Sequence, residues 1–258
     1  MAGLSDADLE RYGRQILLPQ LGVVGQQRLA DSHLLLLGAG GLGAPAALYL
    51  AGTGVGRITI ADGDTVDRSN LHRQVIHTES RLGWNKAESA AAAVGELNPE
   101  ILGEARPERL EGSALAAAVA AADLVVDASD NFATRFAVNA ACHQARRDLV
   151  SGAVIRWEGQ VAVFPFGRDP ETPCYQCLYR DPPDADESER CAVTGVLGPA
   201  AGLIGTTLAC EAVKAAAGIE TGLAGRLLIA DTLHMDFRTL DLATDPQCPT
   251  CSGSPGPC

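Results

Sequence analysis

Apolar residues come along this chain in short unbroken runs bounded by glycine or polar turns, and alanine-rich stretches of helical length lie between them. The run Leu34 to Leu37 meets Gly38, Gly40, Gly41 and Gly43 in "LLLLGAGGLG", the pattern of a parallel strand buried on both faces. "APAALYLAGTGVG" then reads as a helix ending at glycine, and "RITIAD" as the next strand. Upstream, Ser5 to Leu18 opens with a capping residue and acids, which predicts a helix carrying Arg11 and Arg14 and ended by Pro19.

Downstream, "GWNKAESAAAAVGELNP" predicts a helix closed by Asn98 and Pro99, followed by a weak strand near Ile101 and a helix from Ser113 to Ala122. The strand "DLVVDAS" runs into the helix "DNFATRFAVNAACHQARR". Beyond Asp148, "LVSGAVIRWEGQVAVFPF" and "GRLLIADTLHMDFRTLDL" are β-rich without a helix between nearby strands, so they predict hairpins that extend the sheet antiparallel. Between them lie a long Pro- and acid-rich loop and a helix from Pro199 to Ala217. The expected fold is α/β: a Rossmann-like, mostly parallel sheet extended by antiparallel strands, with an N-terminal helix and no fixed-period repeat.

Strand, glycine turn and helix in that order let bare backbone approach a phosphate where helix N–H groups and the dipole favour anions. A glycine-rich packing turn has the same spelling. Asp62, at the tip of the second strand, can accept hydrogen bonds from ribose hydroxyls. Asp130 and Asn131 fall at the carboxyl end of a strand and the start of a helix, where open α/β sheets place ligand groups. Arg73 and Lys86 fall on the same sheet edge, with Asn70 and Gln74 as neutral hydrogen-bonding groups beside them. Singly such cations are ordinary surface charges. Jointly they suit a triphosphate, with Asp130 offering a carboxylate to Mg²⁺.

The chain has 258 residues, 47% hydrophobic and 20% charged, enough for one full core. A net charge of −12 argues against broad nucleic-acid binding, yet leaves local anion sites possible: a unit pair at ~4 Å is worth roughly 4 kcal/mol at an effective dielectric of about 20. No run reaches the ~18 apolar residues of a membrane span, and "MAGLSDADLERYGRQ" is too polar for a secretory signal, so a cytoplasmic protein is expected. Of eight cysteines, Cys174/Cys177 and Cys248/Cys251 form two C-x-x-C pairs, a set able to hold Zn²⁺ in a closed structural site that clips the long loop to the C-terminal segment. Redox dithiols are the alternative. Cys142 and Cys210, within apolar helices, are expected to be buried core thiols, and Cys258 carries no signal.

"RYGRQILLPQLG", "GAGGLG", "DGDTVDRSNLHRQ", Lys86 in "GWNKAE", "DASDN", the paired C-x-x-C motifs and "GVLGP" resemble the MoeB/ThiF family, relatives of the ubiquitin-activating enzymes, from about Arg11 to Cys251. The resemblance implies a single adenylation domain over 1–258: an N-terminal helical segment to residue 30, a nucleotide-binding half over 31–147 and a carrier-binding half over 148–258. It implies MgATP-dependent adenylation of the terminal Gly-Gly carboxylate of a small ubiquitin-like sulfur carrier by a homodimer, with sulfur coming from a separate donor. By the same resemblance Gly41 lies beneath the nucleotide and Asp62 holds the ribose. Asn70, Arg73, Gln74 and Lys86 surround the phosphates, Asp130 holds Mg²⁺ beside Asn131, and Arg14 reaches the partner subunit's site. Cys191 matches a cysteine that in some relatives links covalently to the carrier. A nicotinamide-dependent oxidoreductase and a noncatalytic docking module are the rival functions.

Overall fold

The computed structural model describes residues 4–169, 171–180 and 194–252. Helices α1 (Asp6–Ile16) and α2 (Gly22–Asp31) precede β1 (His33–Leu37), α3 (Gly43–Gly52), β2 (Arg57–Ala61), α4 (Lys86–Leu97) and β3 (Leu102–Arg106). Then come α5 (Gly112–Ala121), β4 (Leu124–Asp127), α6 (Phe132–Ala145), β5 (Asp148–Ile155), β6 (Glu158–Phe164) and the short α7 (Tyr175–Leu178). The long α8 (Gly198–Ala217), β7 (Arg226–Asp231) and β8 (Asp236–Asp241) complete the described elements.

One sheet runs in the order β3-β2-β1-β4-β5-β6-β7-β8. β3 through β5 pair in parallel, and β5 through β8 antiparallel, as the change of texture after Asp148 predicts. β1 is an interior strand, third from the β3 edge, and both of its faces are apolar. Leu34 and Leu36 join the core beneath α3, α4 and α8, whereas Leu35 and Leu37 join the core beneath α5 and α6. Each of these leucines is buried, a gain of roughly 1.5–3 kcal/mol per side chain.

Ser5 caps α1 in a reciprocal box: its hydroxyl accepts from Asp8 N at 3.2 Å, and Asp8 Oδ2 accepts from Ser5 N at 2.8 Å. The residue pattern predicts no helix after Pro19, and only the family resemblance carries a helical segment on to residue 30, where α2 lies. "GVVGQQRLAD" holds two glycines and has no side-chain cap, so packing forms this helix where local propensity does not; Leu29 and Gln26 are wholly buried.

α8 is long and apolar enough to cross a bilayer by length and composition, but half of it is buried, with Ile204, Leu208 and Ala212 in the core. Cys210 corrects an expectation: it is exposed, not buried. At 100° per residue it lies about 200° round the helix from Leu208, on the side facing away from the core. Cys142 on α6 is buried as expected, and burial pushes its thiol far above the usual range.

Candidate active site and metal centre

The strand order reverses between β1 and β4, the place where an open α/β sheet leaves a crevice at its carboxyl edge. The loops after these two strands pack on each other. Gly38 has φ +91°, and a methyl group there would lie 2.8 Å from the Ala128 carbonyl oxygen; one at Gly43 would lie 1.9 Å from the Gly38 oxygen. Both positions therefore require glycine, the first for its backbone conformation and both for close approach. α3 starts at Gly43 without a side-chain cap, and its N-terminal end faces this edge.

Residues 62–86 wrap over the loop. Asp62, half-buried, accepts from Ala39 N on Oδ2 and from Asp64 N on Oδ1, both at 2.8 Å. The Ala39 peptide is held from its other side by His77, whose Nε2 lies 3.0 Å from the Ala39 oxygen while Nδ1 lies 2.8 Å from Ser89 Oγ. Burial holds His77 below the usual histidine pKa, with Lys86 and Arg81 adding to the effect while the Ala39 hydrogen bond and Asp62 oppose it. Asn85 caps α4 through Oδ1 and donates from Nδ2 to the carbonyls of Asp62 and Asp64. Lys86, first residue of α4, is 6% exposed and forms an ion pair with Asp64 at 2.9 Å. The sequence points to Lys86 as a cation but gives no sign of this partner.

Arg73 and Gln74 meet the glycine loop directly. A methyl group at Gly41 would lie 3.3 Å from Ala201 Cβ on α8 and 3.6 Å from Arg73 Cγ, and one at Gly40 would lie 3.7 Å from Gln74 Nε2. Gln74 is buried, and its Oε1 has no hydrogen-bond partner among the described residues. Arg73 Nη1 donates to the Ser69 carbonyl at 3.2 Å, and Asn70 stands at the end of the same short 3₁₀ turn. The loop after β4 brings Asp130 to this edge, exposed, with a 3.5 Å contact from Asn131 Nδ2 on its carboxylate. Asn131 is engaged locally as the cap of α6, accepting from Thr134 N at 2.9 Å.

Arg14 is elsewhere. Its helix packs at the far end of α3, where Gln15 Nε2 donates to the Thr53 carbonyl at 2.8 Å and Tyr12 OH accepts from Asn98 at 2.7 Å. α3 spans ten residues, about 15 Å, so exposed Arg14 sits at the edge of the sheet opposite its own glycine loop.

Beyond α6, the two C-x-x-C pairs converge. Cys174 Sγ lies 3.5 Å from Cys248 Sγ and 4.0 Å from Cys177 Sγ, and Cys177 Sγ lies 3.3 Å from Cys251 Sγ. All four sulfurs fall within 4.8 Å of one another. A tetrahedron with Zn–S near 2.3 Å has edges of about 3.8 Å, so the set fits one zinc ion. Burial pushes the Cys174 thiol up to about 12, a group that ionises at neutral pH when a cation takes its thiolate.

Between this cluster and the sheet, Arg135, Ser151, Gln160, Phe164, Tyr175 and Leu227 line a cavity. Arg135 Nε and Tyr175 OH are buried there without a well-aligned hydrogen bond among the described residues; burial pushes the phenol up to about 12 although the nearby Arg135 opposes the shift. Cys191 lies outside the described residues.

The model of the ThiF family matches residues 12–250. Over 248 residues the chain is 44% identical to the SAMP-activating enzyme E1 of Haloferax volcanii, covering 96% of this chain and 90% of that one. It is 43% identical over 250 residues to the sulfur carrier protein adenylyltransferase of Thermus thermophilus, covering 96% and 92%. The adenylyltransferase and sulfurtransferase MOCS3 of Drosophila virilis is 43% identical over 255 residues; the match covers 98% of this chain but 56% of that longer protein. Among solved structures, E. coli MccB with MccA-N7isoASN superposes with a TM-score of 0.82 at 20% identity, covering 97% and 76% of the two chains, a likeness of fold.

Proposed function

The chain belongs to the ThiF family, and on that premise we propose that it is an adenylyltransferase that uses MgATP to activate the C-terminal glycine carboxylate of a small ubiquitin-like sulfur carrier. The observation that carries this reading is the meeting of the glycine loop, Asp62, Arg73, Gln74, Lys86 and Asp130 at one crevice of the sheet. The close relatives whose names state sulfur-carrier or SAMP activation support the substrate class.

In this reading Gly41 lies under the nucleotide and Asp62, already fixed by two backbone amides, takes the ribose. Arg73 and Lys86 meet negative charge on the phosphates, with Asn70 and Gln74 donating hydrogen bonds beside them. Lys86 is preset for this by Asp64, so little reorganisation is needed when charge develops. The carrier carboxylate attacks the α-phosphate, the bond to the pyrophosphate oxygen breaks, and acyl-adenylate and pyrophosphate result. The carboxylate is ionised at neutral pH, so the chain supplies position and charge and no general base. Asp130, exposed beside Asn131, is the carboxylate that would hold Mg²⁺; the ion would neutralise phosphate charge. The four cysteines would hold zinc as a closed structural site.

Arg14, exposed and next to Gln15 at the far end of α3, would serve the site of a second subunit in a homodimer, a reading supported by its place away from its own glycine loop. Residues 1–258 would form one adenylation domain in the cytoplasm, the sulfur would come from a separate donor, and Cys191 would be the residue that links covalently to the carrier. Exchange of labelled pyrophosphate into ATP tests the function. It is expected only when the cognate carrier is present, and no exchange with any carrier bearing a terminal Gly-Gly overturns the reading.

A further inference from the structure

A buried carboxylate with no part in the proposed reaction lies beneath the loop that carries Asp130. Asp127 ends β4 and is wholly buried. Its Oδ1 accepts from Ser129 N at 3.0 Å and from Ser129 Oγ at 2.6 Å, and its Oδ2 accepts from Ser151 Oγ on β5 at 3.0 Å. Burying a carboxylate costs stability unless donors surround it, and two of these three donors belong to the residue just before Asp130. The same short segment is fixed from two other sides: Arg135 Nη2 donates to the Ser129 carbonyl at 2.7 Å, and Ala128 N donates to Leu37 O at 2.9 Å. Asp130, by contrast, makes one long 3.5 Å contact among the described residues. Its placement is therefore set by its neighbours and hardly at all by bonds of its own.

The preceding residues of β4, Val125 and Val126, are wholly buried and apolar, so a strand that merely had to end in the core had no need of a carboxylate. We propose that Asp127, braced by Ser151, is a positioning residue: it holds the Ser129 backbone so that the Asp130 carboxylate is preset for a nucleotide-bound divalent cation. The inference rests on the assignment of that cation to Asp130.

The test measures Mn²⁺ affinity by electron paramagnetic resonance, using the intact protein with a non-hydrolysable ATP analogue, and measures metal-free nucleotide affinity in parallel. Asp127→Ala removes both acceptor oxygens that hold Ser129 and Ser151 and is expected to weaken Mn²⁺ binding roughly tenfold, the lower end for losing a group that supports a metal ligand. Ser151→Ala removes one hydrogen bond and should weaken it by about fivefold. Metal-free nucleotide affinity should stay within about twofold in both, a selectivity that general loosening of the fold does not produce. Ser151→Ala alone decides the matter should Asp127→Ala fail to fold. Unchanged Mn²⁺ affinity in the folded variants, with Asp130→Ala weakening it, overturns the positioning role and leaves the proposed function intact. Unchanged affinity in Asp130→Ala removes the metal assignment and the inference with it.

Discussion

Gly43→Ala puts a methyl group 1.9 Å from the Gly38 carbonyl oxygen, about 1.1 Å inside the 3.0 Å limit that real contacts respect. The carbonyl has no room to retreat. Gly38 N is bonded to Ala61 O at 2.9 Å, φ is +91°, and its α-carbon faces the Ala128 oxygen. Either the start of α3 moves away from β1 or the loop leaves its place between β1 and β4, and both routes disturb packing beneath the sheet edge. The expected cost is about 3 kcal/mol, the upper part of the overpacking range. At roughly 2–4 °C per kcal/mol for a chain of this size, Tm should fall by roughly 6–12 °C. Gly41→Ala is the contrast. Its methyl group meets Ala201 Cβ at 3.3 Å and Arg73 Cγ at 3.6 Å, side-chain neighbours that can shift by tenths of an ångström. Tm should stay within about 3 °C of wild type, the equivalent of less than about 1 kcal/mol, while the stabilisation by added MgATP is lost. Thermal unfolding with and without MgATP separates the two. A Gly43→Ala protein that melts with wild type and is still stabilised by nucleotide refutes the steric argument, and a Gly41→Ala protein with a full nucleotide shift refutes the cradle.

Four further outcomes are expected. The purified protein should hold about one zinc per chain, and Cys248→Ser should lower both metal content and Tm; a metal-free chain with wild-type stability removes the zinc site. Arg73→Ala and Lys86→Ala should each slow pyrophosphate exchange by roughly 10²–10³-fold, and near-normal rates in both return them to ordinary surface charges. Mixing inactive Arg14→Ala with inactive Asp130→Ala chains should restore about a quarter of wild-type sites, because half the dimers are mixed and each has one intact site; proven subunit exchange without activity places Arg14 in its own chain's service. His77, held below the usual 6.5, stays neutral in the fold while the unfolded chain takes up the proton, so its contribution to stability is present above pH 6.5 and is lost as pH falls from there towards the folded value. Denaturant unfolding should show a shallower acid loss in His77→Gln than in wild type, and equal slopes count against the assignment.

The parallel half of the fold was legible because period and punctuation agreed: four leucines, a glycine turn and an alanine-rich helix admit few other readings. α2 was not, since its sequence argues against a helix and its formation depends on burying Leu29 and Gln26 against elements far along the chain. The exposed Cys210 has the same cause: apolar neighbours in sequence do not reveal which arc of a helix meets the sheet. In the candidate site the exposed or cationic groups could be named from motifs, while the groups that hold them could not. Asp64 beside Lys86, His77 behind Ala39 and Asp127 beneath Ser129 are single polar residues whose meaning comes from partners on other elements. Periodicity does not register such pairings.

The four-cysteine cluster also has a consequence in time. Its two halves are separated by 74 positions, with α8, β7 and β8 emerging between them. During synthesis the strands β1 to β8, and with them the residues of the crevice between β1 and β4, are made before Cys248. A zinc ion held by all four cysteines could close the clip only after Cys251 has been made. A nascent chain halted before Cys248 would lack the cysteine pair that ties α7 to the segment after β8, and a metal bound by all four cysteines would report that translation has passed β8.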